Sequence, residues 1–219
     1  MACYIRLMRK EDVPQVAEID HEAFPTMLPP PNFENELKNK LAHYIVSCDE
    51  EIISEESAVK VPAEKGIPKL TARLKQFFHY EHSLSRGPPL TGQQYIQGFA
   101  GIWLLADEAH LMNLAVREKY RQQGIGELLL ISMIDLATEL NAHIITLEVR
   151  VSNTAAQKLY QKYGFTQAGL RRGYYIDNKE DAAIMSTKNI ASPPFRAKLK
   201  KLKEDYSKRW GITDFHIGR

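Results

Sequence analysis

Four features of this 219-residue chain could do chemistry together: RQQGIG at residues 121–126, Glu148 in LEVRVSN, and Asn153 and Tyr160 in SNTAAQKLYQKYG. The first N–H groups of a helix have no intrahelical partner, and the helix dipole adds partial positive charge there. A helix opening at such a loop can therefore hold an anion. Gly124 and Gly126 remove side chains that would keep an anion from those amides, and a pyrophosphate could sit against residues 122–127. A strand-to-helix turn whose glycines only relieve strain fits the same residues. No Lys-Ser or Lys-Thr follows the second glycine, and the spacing is not that of the dinucleotide fingerprint. Asn153, Ala156 and Tyr160 are spaced by three and four, which places them on one helix face. Glu148 lies near the end of the preceding apolar run, so carboxylate, phenol and anion cradle could face one crevice. The plainer alternatives are a core tyrosine and a carboxylate ion-paired near Arg150.

The elements that must position these groups are legible from hydrophobic periodicity. CYIRLM alternates as a half-buried strand, and KEDVPQVAEIDHEAF follows as a helix with Asp12 as its cap and Pro14 in its first turn. The four prolines of PTMLPPPN break the chain; a short helix over 33–41 and a strand over 43–48 come next. Residues 49–92 differ in kind, opening acidic and rich in proline and glycine, and read as a surface insertion containing one helix in KLTARLKQFFHYEH. His79 and His82 there are three apart, but no third ligand or HExxH pattern supports a metal. QQYIQGFAGIWLLA and HLMNLAV read as strands, with Gly98 and Gly101 as points of bulging or close approach. A helix over 127–140 ending at Asn141, a strand over 143–149, a helix capped by Ser152 or Asn153 and a closing hairpin around IDNKED complete the order. Strand–helix alternation after His110 predicts a mixed α/β fold with helices packed on one sheet.

Composition bounds the rest. At 44% hydrophobic residues the chain can build one sizeable core, and a net charge of +2 does not advertise a polyanionic partner. Cys3 and Cys48 read as free thiols. The sequence shows neither an apolar run that would span a bilayer nor the apolar core of a signal peptide, so the expectation is a soluble, cytoplasmic protein without membrane contact. After Ile190, seven Lys or Arg fall between Arg196 and Arg209. This segment reads as a solvated tail or an appended helix, or else as a contact to ribosomal or other nucleic acid.

NLAVREKYRQQGIGELLL resembles the acetyl-CoA-binding motif of the GNAT acyltransferase superfamily. LEVRVSNTAAQKLYQKYGF, with RRGYY and EDAAIM after it, is similar more narrowly to the RimI family of ribosomal-protein-alanine N-acetyltransferases. The resemblance covers residues 1–190 apart from the insertion and leaves 191–219 as a basic C-terminal tail. It implies a GNAT fold: a central mixed, mostly antiparallel sheet, flanked by helices and splayed at the acetyl-CoA site between the strands ending at Val116 and Val149. It further implies that Leu114, Ala115 and Val116 offer backbone groups to the pantetheine arm. Gln122, Gln123, Gly124, Ile125, Gly126 and Glu127 would hold the pyrophosphate, Asn153 would contact the cofactor, Glu148 would be the general base and Tyr160 the general acid. Arg171, Arg172, Tyr174 and Tyr175 would border a peptide groove or form an ordinary hairpin. The activity implied is acetyl transfer from acetyl-CoA, without a metal, to the α-amine of a protein N-terminus, the N-terminal alanine of a ribosomal small-subunit protein. Alternatives are a broader Nα-, lysine or small-amine acetyltransferase, and a non-catalytic acyl-CoA-binding or ribosome-associated module.

Such a reaction constrains its groups. An α-amine, with a pKa of about 7.7–8.0, is mostly protonated near pH 7, and a glutamate at about 4.3 is a poor match as its base unless burial raises it or a water relays the proton. A strand N–H near Val116 could stabilise the charge developing on the thioester oxygen. Tyr160, ordinarily near 10, could protonate the departing thiolate.

Overall fold

A computed structural model describes residues 3–26, 29–53, 94–211 and 215–218. Two compact units are present, one of Met1–Glu51 with Ile96–Arg219 and the other Ile52–Tyr95. The helix expected in KLTARLKQFFHYEH and the pair His79 and His82 lie outside the described residues. In chain order the elements are β1 (Cys3–Leu7), α1 (Val13–Ala23), α2 (Phe33–Glu36), β2 (Ala42–Ile53), β3 (Gln94–Leu105), β4 (Glu108–Val116), α3 (Ile125–Glu139), β5 (Ile144–Arg150), α4 (Thr154–Lys162), β6 (Phe165–Arg171), β7 (Ala182–Thr187), α5 (Pro193–Trp210) and β8 (Ile217–Gly218). The strands form one mixed sheet in the order β6-β7-β5-β4-β3-β2-β1-β8.

Alternation along the strands gives this sheet two apolar faces. Tyr44, Val46 and Phe99 pack with Val16 and Ile19 of α1 and Phe33 of α2. Their strand neighbours Ile45 and Ala100 point the other way, into a larger core with Leu128 and Ile131 of α3 and Tyr206 of α5. Asp12 does sit at the start of α1, but its carboxylate does not cap the helix. Both oxygens are taken by the buried Arg6 guanidinium at 2.6 and 2.8 Å, and one also accepts the Arg9 backbone N–H at 2.7 Å. A charge-assisted bidentate pair outcompetes a neutral N–H for those lone pairs.

The segment after Ile190 is a docked helix followed by a short strand. Pro193 and Pro194 occupy its first turn, where a missing N–H costs nothing. Beyond it, Ile217 and Gly218 pair in parallel with Ile5 and Arg6 at the sheet edge.

Two irregularities of β4 shape everything near the site. Its antiparallel register with β3 slips once: Gly101 faces Asn113 while Ile102 faces Leu111, so Met112 is an extra residue, a β-bulge. Both expected close-approach glycines are used there. A Cβ on Gly101 would lie 2.2 Å from the Tyr44 ring, and one on Gly98 2.7 Å from the Ala115 carbonyl oxygen. The parallel pairing of β4 with β5 runs from Glu108 opposite Ile144 to Leu111 opposite Leu147 and ends there, beside the bulge. The extra residue also exchanges the faces. Ala109 and Leu111 point toward α3, whereas Ala115 belongs to the α1 side and Leu114 and Val116 pack on the α3 side.

Asn113, turned to the α1 side, donates from Nδ2 to Asp20 Oδ1 at 3.3 Å. Asp20 is 3% exposed, and burial pushes its carboxyl up to about 6, with His21 pulling the other way. Its folded value thus exceeds the unfolded value of about 3.9. The folded state binds more protons between those two pH values, so stability falls as pH rises from roughly 4 to 6 and stays reduced above. Asp20→Asn keeps the acceptor for Asn113 and removes the buried charge. Chemical denaturation at pH 7.5 should show the variant more stable by up to roughly 2–3 kcal/mol, with the gap closing near pH 4; equal stability at pH 7.5 would contradict this account.

Candidate active site

Where β4 and β5 part, a cavity of about 750 Å³ opens through the sheet, lined from one face by Trp103, His110 and Glu148 and from the other by Leu114, Leu159 and Tyr160. Its size suits a small-molecule site.

Glu148 lies on β5 one residue past the last β4 pairing, in register with Ile184 of β7, which holds the strand from its other side. Its side chain is only 9% exposed and is engaged at both oxygens, by His110 Nε2 at 2.8 Å and by Arg171 Nη2 at 3.1 Å. The arginine expected near it is occupied elsewhere. Arg150 reaches Asp177 at 2.9 Å and Glu180 at 3.1 Å, and its guanidinium lies 3.8 Å from the centre of the Tyr175 ring.

His110 had no role in the sequence reading. Its Nδ1 meets Thr146 Oγ1 at 2.9 Å, and Thr146 meets Glu108 Oε1 at 2.7 Å, so a chain of polar groups leads from Glu148 to the exposed Glu108. With the Thr146 hydroxyl donating to Glu108, Nδ1 of the ring is the donor to Thr146, and a ring carrying a hydrogen on each nitrogen donates to Glu148 as well. The register pairing His110 with Thr146 brings the four groups together. The histidine heads HLMNLAV, but nothing local pairs it with the strand of Thr146.

Tyr160 projects from α4 into the same cavity and is 8% exposed, packed at 5.6 Å against the Phe165 ring. Its hydroxyl makes no hydrogen bond among the described residues, and burial pushes its pKa above the ordinary phenol range. Asn153 lines the cavity too, while its Oδ1 caps α4 by accepting the Ala156 N–H at 3.1 Å. Tyr174 and Tyr175 border the cavity from the loop between β6 and β7; Arg172 does not line it. Burial pushes the Tyr175 phenol up to about 12.

Of the three β4 residues singled out, Leu114 lines the cavity, Ala115 points into the α1-side core and the Val116 carbonyl accepts from Arg121 Nε at 3.1 Å. Residues 122–127 stand beside the cavity rather than in its wall, joined to it through Leu114 and Val116, which lie 3.7 Å from where a Gly126 Cβ would be. Gln122 (φ 60°) and Gly124 (φ 83°) are both left-handed, an alternation that turns successive N–H groups to one side. Gly124 opens α3 without a side-chain cap, which leaves the first-turn amides for a ligand. The carboxylate of Glu127 is committed to α4, accepting from Tyr163 Oη at 2.7 Å and pairing with Lys162, so its backbone is what it can offer an anion. Gln123 Nε2 bonds the Lys119 carbonyl oxygen at 3.0 Å. An open strand pair leading to an uncapped helix start fits an extended ligand ending in a pyrophosphate.

Residues 51–165 match the acetyltransferase (GNAT) family. A Bacillus subtilis protein named "Putative ribosomal protein bS18-alanine N-acetyltransferase" is 32% identical over 182 residues, 83% of this chain and 92% of that one. The ribosomal protein bS18-alanine N-acetyltransferase of Escherichia coli K12 is 42% identical over 99 residues, 44% of this chain and 67% of that one. The crystal structure of the Escherichia coli ribosomal-protein-S18-alanine N-acetyltransferase superposes with a TM-score of 0.59 at 24% identity, over 87% of this chain and 97% of that one, which bears out the splayed mixed sheet. The RimI resemblance read from LEVRVSN and RRGYY therefore holds, and the chain belongs to the GNAT acetyltransferase family, whose members are N-acetyltransferases that use acetyl-CoA.

Proposed function

We propose that this enzyme acetylates the α-amine of a protein N-terminus, the N-terminal alanine of a ribosomal small-subunit protein of the bS18 type, with acetyl-CoA as donor. The observation that carries the reading is the placement of Glu148 and Tyr160 on opposite sheet faces, meeting in one cavity through the β4–β5 gap. The names of its relatives in Bacillus subtilis and Escherichia coli supply the acceptor.

Bound acetyl-CoA supplies an electrophilic thioester carbonyl. Glu148 takes the proton that the attacking amine must lose. Both of its oxygens are already held by His110 and Arg171, which favours a bridging water over direct contact. The His110–Thr146–Glu108 chain gives that proton a path toward solvent. Backbone N–H groups of β4 beyond Leu111, which have no β5 partner, stabilise the charge growing on the carbonyl oxygen. Tyr160, in the wall of the same cavity, would be the group nearest the departing sulfur. A phenol raised by burial is a weaker acid than an ordinary one, so it would first hydrogen-bond to the sulfur, then give its proton to the thiolate as that forms and regain one from solvent. The loop carrying Tyr174 and Tyr175 borders the acceptor and is fastened to β5 by Arg150 and to residue Thr26 through Asp177 at 2.9 Å. The outward face of α5, with exposed Arg196, Lys198, Lys200 and Lys201, is the surface for any contact with ribosomal surroundings.

Incubation with acetyl-CoA and peptides beginning with Ala or Met, or blocked at the α-amine, should give mass increments on Ala-starting peptides first and none on blocked ones. Modification of the blocked peptide at lysine would move the assignment to a different acceptor class. Glu148→Gln and Tyr160→Phe should each lower kcat roughly 10²-fold or more with both proteins still binding CoA; unchanged turnover in either removes that residue from the mechanism. Arg150→Ala should raise the peptide KM about tenfold by releasing the groove loop, while the acetyl-CoA KM stays within about twofold; a matching rise in both would place Arg150 in general stability instead.

A further inference from the structure

The apolar residues of α5, Phe195, Leu199, Leu202, Tyr206 and Trp210, recur every three or four positions and so form one stripe, with Lys and Arg around the rest of the helix. That stripe lies along α3 and α4. Phe195 sits 3.2 Å from where a Cβ on Gly164 would be, Lys203 Nζ pairs with Asp135 of α3 at 2.5 Å, and the last turn of α5 meets the first turn of α3. There Tyr206, 2% exposed, donates its hydroxyl to the Gly124 carbonyl oxygen at 3.2 Å, beside the Leu128 N–H that reaches the same oxygen at 2.9 Å. The Trp210 indole fills the space where Gly124 would carry a side chain, with ring atoms 2.7–2.9 Å from that Cβ position. Glycine at 124 therefore does two things: it adopts the left-handed turn and it admits the indole.

We infer that α5 is part of the donor site, with Tyr206 and Trp210 as positioning residues that hold the Gly124 turn in the shape that presents the α3 amides. The inference rests on the reading of residues 122–127 as the pyrophosphate seat. Gln122, a non-glycine residue at φ 60°, is a conformation that survives only when its surroundings fix it. Arg121 and Gln123 tie the loop to Val116 and Lys119, and Tyr206 and Trp210 back it at Gly124 from α5. They are themselves braced: Phe215 packs on the Tyr206 ring at 5.9 Å, and Ile217 then joins β1. Without that backing the loop samples other shapes, and the donor must pay for ordering it on binding. The Trp210 Nε1 is buried and has no hydrogen-bond partner among the described residues, so the ring's shape, not its N–H, is what the turn uses.

The test compares full-length variants by calorimetric titration with CoA and by steady-state kinetics with acetyl-CoA and the best peptide. Trp210→Ala should weaken CoA binding and raise the acetyl-CoA KM about tenfold, and Tyr206→Phe about threefold, with kcat and the peptide KM within about twofold. Trp210→Phe should restore binding to within about twofold of the original. Lys203→Met, which loosens α5 at Asp135 away from the loop, should lower the melting temperature without moving CoA affinity, separating positioning from stability. Unaltered CoA affinity in Trp210→Ala, or in Tyr206→Phe should Trp210→Ala not fold, overturns the inference. Failure of the unmodified protein itself to bind CoA overturns the reading of the loop, and with it the inference.

Discussion

A parallel strand pair that stops hydrogen bonding midway leaves backbone groups that must meet water or a ligand, since burying them unpaired costs free energy. In this sheet β4 stays paired with β3, across one bulge, as far as Val116 opposite Gly98, and β5 stays paired with β7 as far as Arg150 opposite Ala182. Each diverging strand is thus held on its outer side, and the opening between them is a built feature rather than fraying. The Met112 bulge is the local cause: one extra residue keeps the β3 ladder while bending β4 away from β5.

The same bulge distributes the chemistry. Before it, His110 shares a face with Trp103 and, across the parallel ladder, with Thr146, so the polar chain ending at Glu148 belongs to the α1 side. After it, Leu114 and Val116 turn toward α3 and the glycine loop. Tyr160 comes from α4, on that α3 side. Donor and acceptor can then approach from opposite faces and meet only in the gap, with Glu148 and Tyr160, the proposed base and acid, on its two sides.

Local features of the sequence carried much of this. The uncapped glycine turn, the helical face shared by Asn153 and Tyr160, and Glu148 at a strand end all follow from short-range periodicity. What was not legible depends on pairing between distant segments. The choice of Arg171 rather than Arg150 as the partner of Glu148 is set by how β6 and β7 return beside β5. Asp12 looked like a helix cap because nothing in KEDVP shows that Arg6 on β1 will claim its carboxylate. The charged tail concealed an apolar stripe because Lys and Arg outnumber the five residues that dock, and the value of Trp210 emerges only where Gly124 lacks a side chain.

The division of labour among the site's charges has a further consequence. Arg150 holds Asp177 and Glu180, while Arg171 and His110 hold Glu148. Hydrogen bonds from Ser152, and then from Asn178 and Arg150, pull the Glu180 carboxyl down to about 2, and Arg150 also lowers Asp177 against the opposing effect of desolvation. The clasp on the groove loop therefore stays ionised throughout the neutral range. An acceptor α-amine, by contrast, loses its proton around 7.7–8.0. A rise in acetyl transfer between pH 7 and 8 would then not come from this clasp, which keeps the same charges across that interval, and fits an acceptor amine becoming nucleophilic.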